Sequence, residues 1–215
     1  MLKTSDDLLF ASVDSIPILD RELATSEILA LPDQYSFWDD YRHTKMFPLM
    51  TKKGVGSKEG SSNIQDGEFV WTPLAPKVII DWCEEHLFPW LGAKTRVMAL
   101  VTQPGVANYE HIDCAKHELN TRQHKVRLVL QGRTDTLYWM TDKGNVYAPN
   151  VDGVFVMDGG WPHGMINSTS IPKVTLALGA PWTGKDEYDD LTILQYRTDY
   201  VMPEQMDHLW LKKIQ

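Results

Sequence analysis

The spacing of apolar side chains predicts helices in the first part of the chain. Apolar residues recur near the helical period in residues 19–31, and Pro32 ends that run. A stronger helical pattern covers residues 75–91, where apolar side chains recur every three or four positions and Pro76 suits the first turn. The first third of the chain is therefore expected to be helical or mixed.

From residue 95 onward the pattern changes to short runs of alternating or β-branched residues. Strands are predicted at residues 96–102, 122–130, 136–140, 153–157 and 173–178. Clusters of Gly, Pro, Asn and Asp separate these runs, as turns do. Several short strands at regular spacing predict a mainly β fold with flanking helices, either a β-sandwich or a jelly roll.

The regions on both sides of the strands are expected to pack on them within a single domain. We divide the chain into an N-terminal helical or mixed region, 1–94, a strand-rich core, 95–182, and a C-terminal extension, 183–215. Within the extension, residues 202–214 are predicted to form a helix that packs back on the core. Residues 54–67 are rich in Gly and Ser, which predicts an exposed loop, with a lid over a binding site as the alternative.

Composition and charge exclude several classes of protein. Across 215 residues the chain has 21 Lys and Arg against 29 Asp and Glu, a net charge of −8 that argues against a nucleic-acid-binding face. Its two cysteines, Cys83 and Cys114, lack metal or redox spacing and predict free thiols. No signal-like segment begins the sequence, and no apolar run approaches the ~20 residues of a membrane span. We therefore expect a cytoplasmic protein without a membrane partner.

Three residues have the chemistry of a metal site. His111 and Asp113 stand two positions apart, and alternate residues of a β-strand face the same way. His163, from a separate segment, adds a second imidazole. Two imidazoles and one carboxylate form the facial triad of non-haem Fe(II) oxygenases, which leaves positions open for a bidentate 2-oxo acid and dioxygen. An HxD pair alone is common by chance, so the prediction also depends on the neighbouring segments.

A cation ten residues after His163 strengthens this interpretation. Lys173 begins a predicted strand that is otherwise mostly apolar, and Thr175 shares its face. An inward cation on such a strand is costly unless it meets an anion. We therefore expect Lys173 to bind the distal carboxylate of 2-oxoglutarate, with the hydroxyl of Thr175 as a further donor.

The segment 122–130 is predicted to form a second wall of the pocket. Arg122 and His124 share one face of this strand with apolar residues, whereas Lys125 and Arg127 lie on the other face. Two basic groups followed by apolar residues on one face are typical of a pocket wall. A solvated strand end is the alternative.

Residues 96–182 resemble the aspartyl/asparaginyl β-hydroxylase family, in its proline cis-4-hydroxylase-like branch. The motifs that carry the resemblance are Gln103-Pro104-Gly105, His111-Ile112-Asp113, Arg122-Gln123-His124, Phe155-Val156-Met157-Asp158, His163, Asn167 and Lys173. The resemblance implies a double-stranded β-helix, or cupin-like jelly roll, that uses Fe(II), 2-oxoglutarate and O2. It also implies that His111, Asp113 and His163 bind iron, that Arg122 and His124 contact the cosubstrate carboxylate near the metal, and that Lys173 pairs with the far carboxylate.

The chain departs from the family pattern at two places. The family usually has Arg where this chain has Lys173, and lysine offers a point charge rather than a bidentate fork. Lys125-Val126-Arg127 replaces residues that are commonly more apolar, which leaves the choice of substrate open. Asp113 places the chain nearer the members that retain a carboxylate ligand. Candidate substrate contacts are Arg127, Trp139 and Trp161, the alternatives being core positions for the tryptophans and an exposed position for the arginine.

The predicted activity is Fe(II)- and 2-oxoglutarate-dependent hydroxylation. A C–H bond of a free amino acid or a peptidyl residue would be oxidised, with release of succinate and CO2. A small molecule or a peptide is therefore the expected partner. Two alternatives remain open: a metal-binding cupin without oxygenase activity, and a structural β-sandwich in which His111 and His163 are ordinary polar residues.

Overall fold

The structure is a computed structural model, and it describes residues 7–40, 42–54, 67–113, 124–179, 190–204 and 209. The strands are β1 (Leu8–Val13), β2 (Phe37–Asp39), β3 (Thr44–Lys52), β4 (Phe69–Trp71), β5 (Val97–Thr102), β6 (Ala107–His111), β7 (His124–Gln131), β8 (Leu137–Thr141), β9 (Gly144–Tyr147), β10 (Phe155–Asp158), β11 (His163–Ile166), β12 (Lys173–Ala177) and β13 (Leu191–Tyr196). The helices are α1 (Arg21–Leu29), α2 (Lys77–Trp82) and α3 (Phe88–Leu91), with short 3₁₀ turns at Asp33–Tyr35, Thr134–Thr136 and Arg197–Asp199.

Strands β5 to β12 are divided between two antiparallel sheets. The large sheet contains the order β10-β7-β12-β5, and the small sheet has the order β6-β11-β8-β9. Successive strands pass from one sheet to the other, except for the hairpin of β8 and β9. Two four-stranded sheets connected in this way form a double-stranded β-helix, a jelly roll. The predicted mainly β, cupin-like fold is therefore confirmed.

The N-terminal region contributes strands that its sequence did not predict. β1 lies between β10 and β13, and β3 pairs with β5, so both edges of the large sheet are extended. β3 contains Pro48, which normally counts against a strand, but the pairing with β5 shifts register beside it. Such an irregularity accommodates a residue without a backbone N–H. Strand pairing crosses the boundaries at residues 94 and 182, which separate the core from its flanking regions. The position of these boundaries stays a prediction.

The two predicted helices are present with shorter ends. α1 begins after Asp20, whose Oδ1 accepts a hydrogen bond from the backbone N–H of Leu23 at 3.1 Å. α2 and α3 are joined by a π-helical stretch, Cys83–Leu87, just before Pro89. Proline has no N–H to complete the α-helical ladder, which accounts for the wider turn there. Gly92, at φ 76°, ends α3 in the left-handed conformation.

Apolar side chains bury both faces of the large sheet. On its outer face, side chains such as Val126, Leu128 and Leu176 pack with the helices through Ile79 and Leu87. A second apolar cluster includes Phe10, Val129, Leu137, Trp139, Phe155, Met157 and Trp161. The second cluster brings together residues of the large and small sheets and so fills part of the space between them.

Several sequence predictions concern residues outside the described ranges. These include most of the loop at 54–67, most of the segment at 202–214, and Cys114. Cys83 is buried as a free thiol, and burial, with a smaller contribution from Glu84, raises the pKa of that thiol. Among the described helices, none has both the length and the apolar character that crossing a bilayer requires.

Candidate metal centre

Strand pairing in the small sheet brings the two predicted histidine ligands together. His163 of β11 is the register partner of His111 of β6, so the two imidazoles leave adjacent strands side by side. Their ring centroids are 4.4 Å apart. Asp113 follows β6, and its backbone N–H donates to Gly159 O at 2.8 Å, which ties it to the turn before β11. The three side chains therefore meet because of local strand geometry.

Both imidazoles are oriented by backbone carbonyls two residues earlier in the chain. The Nδ1 of His111 lies 2.8 Å from Tyr109 O, and the Nδ1 of His163 lies 2.8 Å from Trp161 O. Because a carbonyl oxygen can only accept, each Nδ1 carries the proton and donates it. The Nε2 atoms are therefore the ones that face Asp113, and they are the atoms that a metal ion would bind.

The potential ligand atoms form a compact, buried group. His111 Nε2 lies 3.4 Å from Asp113 Oδ1, and His163 Nε2 lies 3.8 Å from Asp113 Oδ2. All three residues place a ligand atom within 4.8 Å of the others. Burial, followed by the charge of His111, lowers the pKa of His163 to about 3, against the opposing effect of Asp113. His163 is therefore neutral at physiological pH and able to ligate.

A guanidinium from the N-terminal region contacts the carboxylate of the triad. Arg42 Nη2 donates to Asp113 Oδ1 at 2.8 Å, and Arg42 Nη1 donates to Asp39 Oδ2 at 2.8 Å. Burial alone would raise the pKa of Asp113, but the hydrogen bond with His111 and the charge of Arg42 hold it well below its usual value. Burial likewise opposes ionisation of Arg42, whose pKa the charges of Asp113 and Asp39 nevertheless raise. Asp113 is thus kept as an anion.

The donor set fits a divalent transition metal. Two imidazole nitrogens and one carboxylate oxygen converge, and each has a second contact that fixes its orientation. A facial set of this composition suits non-haem Fe(II), whereas structural zinc sites generally use four protein ligands. His111, Asp113 and His163 are therefore the residues that would hold such an ion.

A solvent-connected cavity between the two sheets lies next to the triad. Its wall includes Lys173 and Thr175 of β12, together with Arg127 of β7. The remaining lining residues are Arg42, Leu100, Thr102, Asn108, His111, Asp113, Val129, Thr134, Leu137, Phe155, Met157, His163, Gly164 and Met165. Apolar side chains such as Phe155 and Met157 thus share the wall with ten polar or charged residues, which could orient a small molecule.

Lys173 lies in the cavity wall but is already anchored. Its Nζ donates to Arg133 O at 2.7 Å and to the hydroxyl of Thr136. Burial lowers the pKa of Lys173 to about 8, and the nearby charge of Asp135 opposes that shift. An incoming carboxylate would thus meet an ammonium group that is held in place and poorly solvated.

The face of β7 that lines the cavity is the opposite of the one predicted. Arg127 and Val129 line the cavity, whereas His124 shares its face with Val126 and Leu128 of the outer core. His124 therefore does not line the cavity. The sequence predicts the pocket-facing side of this strand from its basic residues, which precede apolar ones. Because both faces of this central strand are buried, that pattern does not distinguish them. Arg122 lies outside the described residues.

Trp139 and Trp161 belong to the apolar cluster rather than to the cavity wall. Trp139 is fully buried, 5.9 Å from the ring of Phe10, and its Nε1 donates to Asp158 O at 3.3 Å. Trp161 is buried too, and its Nε1 donates to Met140 O at 2.7 Å. The placement corrects their assignment as substrate contacts. Each fills space between the sheets, and Trp161 also supplies the carbonyl that orients His163.

Sequence reasoning did not find Arg42, Thr102, Asn108 or Thr134, all of which line the cavity. Arg42 is 71 positions from Asp113 in the chain. Its local sequence gives no chemical signal, since an isolated arginine beside aspartates usually forms a surface ion pair. Thr102 and Asn108 are connected through Thr44. The hydroxyl of Thr44 lies 3.0 Å from the hydroxyl of Thr102 and donates to Asn108 Oδ1 at 2.9 Å.

Comparisons with known proteins find distant structural likenesses. No protein-family model matches the chain, and no curated protein matches it by sequence. A 2OG-Fe(II) oxygenase family oxidoreductase from Burkholderia pseudomallei is similar in structure, with 12% identity, a TM-score of 0.46, and 75% of this chain and 80% of that chain covered. A prolyl-4-hydroxylase from Pseudomonas putida has 15% identity, a TM-score of 0.44, and coverage of 79% and 90%. A cupin domain from Bordetella pertussis has 19% identity, a TM-score of 0.28, and coverage of 40% and 79%.

Proposed function

We propose that this protein is an Fe(II)- and 2-oxoglutarate-dependent dioxygenase. It would hydroxylate a C–H bond of a free amino acid or peptidyl residue and release succinate and CO2. The aspartyl/asparaginyl β-hydroxylase family, in its proline cis-4-hydroxylase-like branch, is the family we propose on the sequence motifs. A cytoplasmic location belongs to the same proposal.

The observation that carries the proposal is the position of the triad and Lys173 in one cavity. His111, Asp113 and His163 converge beside it, and Lys173 lies in its wall, the only lysine among the described lining residues. A dicarboxylate fits such a pair of features, since one end can reach a metal and the other an ammonium group. A closed structural zinc site, with four protein ligands, leaves no coordination position open for such a cosubstrate.

The protein's own residues would bind, orient and shield the reactants. The carbonyls of Tyr109 and Trp161 hold both imidazoles in the ligating tautomer. Lys173 would bind the distal carboxylate of the cosubstrate, with the hydroxyl of Thr175 on the same face of β12. A bound Fe(II) would supply the redox chemistry that activates dioxygen. The apolar part of the wall excludes water from the reacting groups.

Succinate formation tests this proposal directly. The purified protein would be given Fe(II), 2-oxoglutarate and O2 with a panel of free amino acids and peptides, and succinate measured over time. We expect succinate to form in an Fe(II)- and O2-dependent manner. His111→Ala and Asp113→Ala should abolish it and greatly weaken Fe(II) binding, because each removes a ligand.

His86→Ala provides a matched control. His86 lies on the π-helical stretch, away from the cavity, so its removal should leave both metal binding and succinate formation intact. Metal binding that depends on the triad without any succinate would favour the non-oxygenase cupin instead. Loss of neither property in the triad variants would indicate that the histidines are ordinary polar residues.

A further inference from the structure

The described wall of the cavity carries more positive charge than a cosubstrate can neutralise. Arg42, Arg127 and Lys173 face a single carboxylate, Asp113. A divalent ion would add two positive charges, and 2-oxoglutarate would remove two. Asp39, beside Arg42, compensates one further charge, whereas Asp135, near Lys173, is itself paired with Arg133. An excess of one positive charge remains in a cavity whose lining residues are mostly buried, and such charges require partners.

Arg127 is the cation without a carboxylate of its own. Among the described residues it forms no ion pair within 4.0 Å, and its Nη1 donates one hydrogen bond, to Val126 O at 2.9 Å. A guanidinium has five N–H donors in a planar fork that matches a carboxylate. Burial, and the charge of Arg42, lower its pKa to about 10, against the attraction of Asp113. The group is therefore still a cation at neutral pH.

Arg127 and Lys173 lie at different ends of the cavity. Arg127 is opposite Ala177 of β12, four residues along that strand from Lys173, or about 13 Å at the usual strand rise. The charges of Arg42 and Asp113 act on Arg127, whereas the charge that acts on Lys173 is that of Asp135. Arg127 thus lies at the end of the cavity next to the triad. The distal carboxylate of 2-oxoglutarate cannot pair with both Lys173 and Arg127.

We propose that Arg127 forms a second anion site, which binds the carboxylate of the substrate that is oxidised. The substrate is then a small organic acid with a free carboxylate, such as an amino acid, rather than an internal peptidyl residue without one. This inference rests on the proposed function. It adds the chemical class of the substrate and the residue that selects it.

The test measures binding without turnover. The full chain is loaded with Mn(II) and 2-oxoglutarate in the absence of O2, and thermal shift and calorimetry follow the addition of three probe sets. These are common L-amino acids with short carboxylic acids, the matching primary amides, and inorganic phosphate. We expect at least one acid to bind and its amide to bind about ten- to a hundredfold more weakly, because a charge-assisted hydrogen bond is lost.

Arg127→Met should lose the binding of the acid while it retains the binding of 2-oxoglutarate. Arg127→Lys should recover part of the affinity, since it restores the charge without the fork. Arg21→Met is the control, because Arg21 pairs with the exposed Asp152 instead of lining the cavity. Circular dichroism of each variant shows whether the fold is retained.

Four results would overturn the assignment. Acids and amides could bind equally well, phosphate alone could bind, no acid could bind, or Arg127→Met could lose 2-oxoglutarate instead of the acid. The last result would place the cosubstrate at Arg127. If the wild-type protein fails to bind 2-oxoglutarate yet binds an acid through Arg127, the proposed function is wrong while the anion site stands.

Discussion

Arg42 Nη2 and Asp113 Oδ1 are 2.8 Å apart, although 71 positions separate the two residues in the chain. The contact links the N-terminal region to the triad, and Asp39 holds the other side of the guanidinium. Arg42 therefore engages one oxygen of the carboxylate and leaves Oδ2 facing His163. In this arrangement the N-terminal region positions a metal ligand that the jelly-roll core supplies.

Arg42→Met should weaken metal binding about 10–100-fold, the usual cost of losing a partner of a metal ligand. Without the guanidinium, the buried carboxylate of Asp113 is less well oriented and its pKa rises. Mn(II) or Co(II) titration measures the effect, with Arg21→Met as control. Tighter metal binding in Arg42→Met would mean that the repulsion between guanidinium and metal outweighs the orientation it provides.

Binding of 2-oxoglutarate should weaken as the pH rises above about 8, the pKa to which burial lowers Lys173. A lysine with a lowered pKa loses its charge as the pH rises through that value, and the anionic cosubstrate prefers the charged form. The Kd should increase by about tenfold per pH unit beyond it. Lys173→Arg should flatten this dependence, because guanidinium does not titrate there. The same slope in both proteins would assign the dependence to another group.

Gly132→Ala should reduce the affinity for 2-oxoglutarate while metal binding is retained. Gly132 has φ 103°, and a Cβ there would lie 3.0 Å from Cγ of Lys173, so the lysine would be displaced. Gly144→Ala is a close control, with φ 110° and no atom within 4 Å of the added Cβ. It carries the backbone strain without the contact. Equal effects of the two variants on cosubstrate affinity would rule out displacement of Lys173.

Trp139→Ala should destabilise the fold by about 3–5 kcal/mol, as large truncations in a core do. The ring of Trp139 is fully buried beside Phe10, so its loss leaves a cavity between the sheets. Denaturant unfolding measures the change, and Trp38→Ala, at an exposed position, should cost far less. An unchanged free energy of unfolding with an altered substrate KM would return Trp139 to the role of substrate contact.

The triad was predictable because its signal is chemical and local. His111 and Asp113 follow strand periodicity, and Lys173 and Thr175 share one face of β12 beside the cavity, as their spacing predicts. The contact of Arg42 was not predictable, because it depends on the pairing of β3 with β5 across the chain.

The face of β7 could not be read correctly from its sequence. His124, Lys125 and Val126 are all buried, so the alternation of polar and apolar residues no longer marks inside and outside. A central strand with both faces covered gives a weak signal for the direction of its side chains. Arg127, named as a candidate substrate contact from the sequence, lies on the face that was not predicted to be the pocket wall.

The place of β6 at one end of the small sheet has a consequence for stability. In the described part of that sheet, β11 is the strand that pairs with it, and directly after β6 the backbone N–H of Ile112 donates to Leu209 O at 2.9 Å. An ion bound by His111 and His163 would fasten this outermost strand to the next one. The local stability of β6 would then depend on metal binding. A chelator should increase local unfolding of β6 before the rest of the fold unfolds.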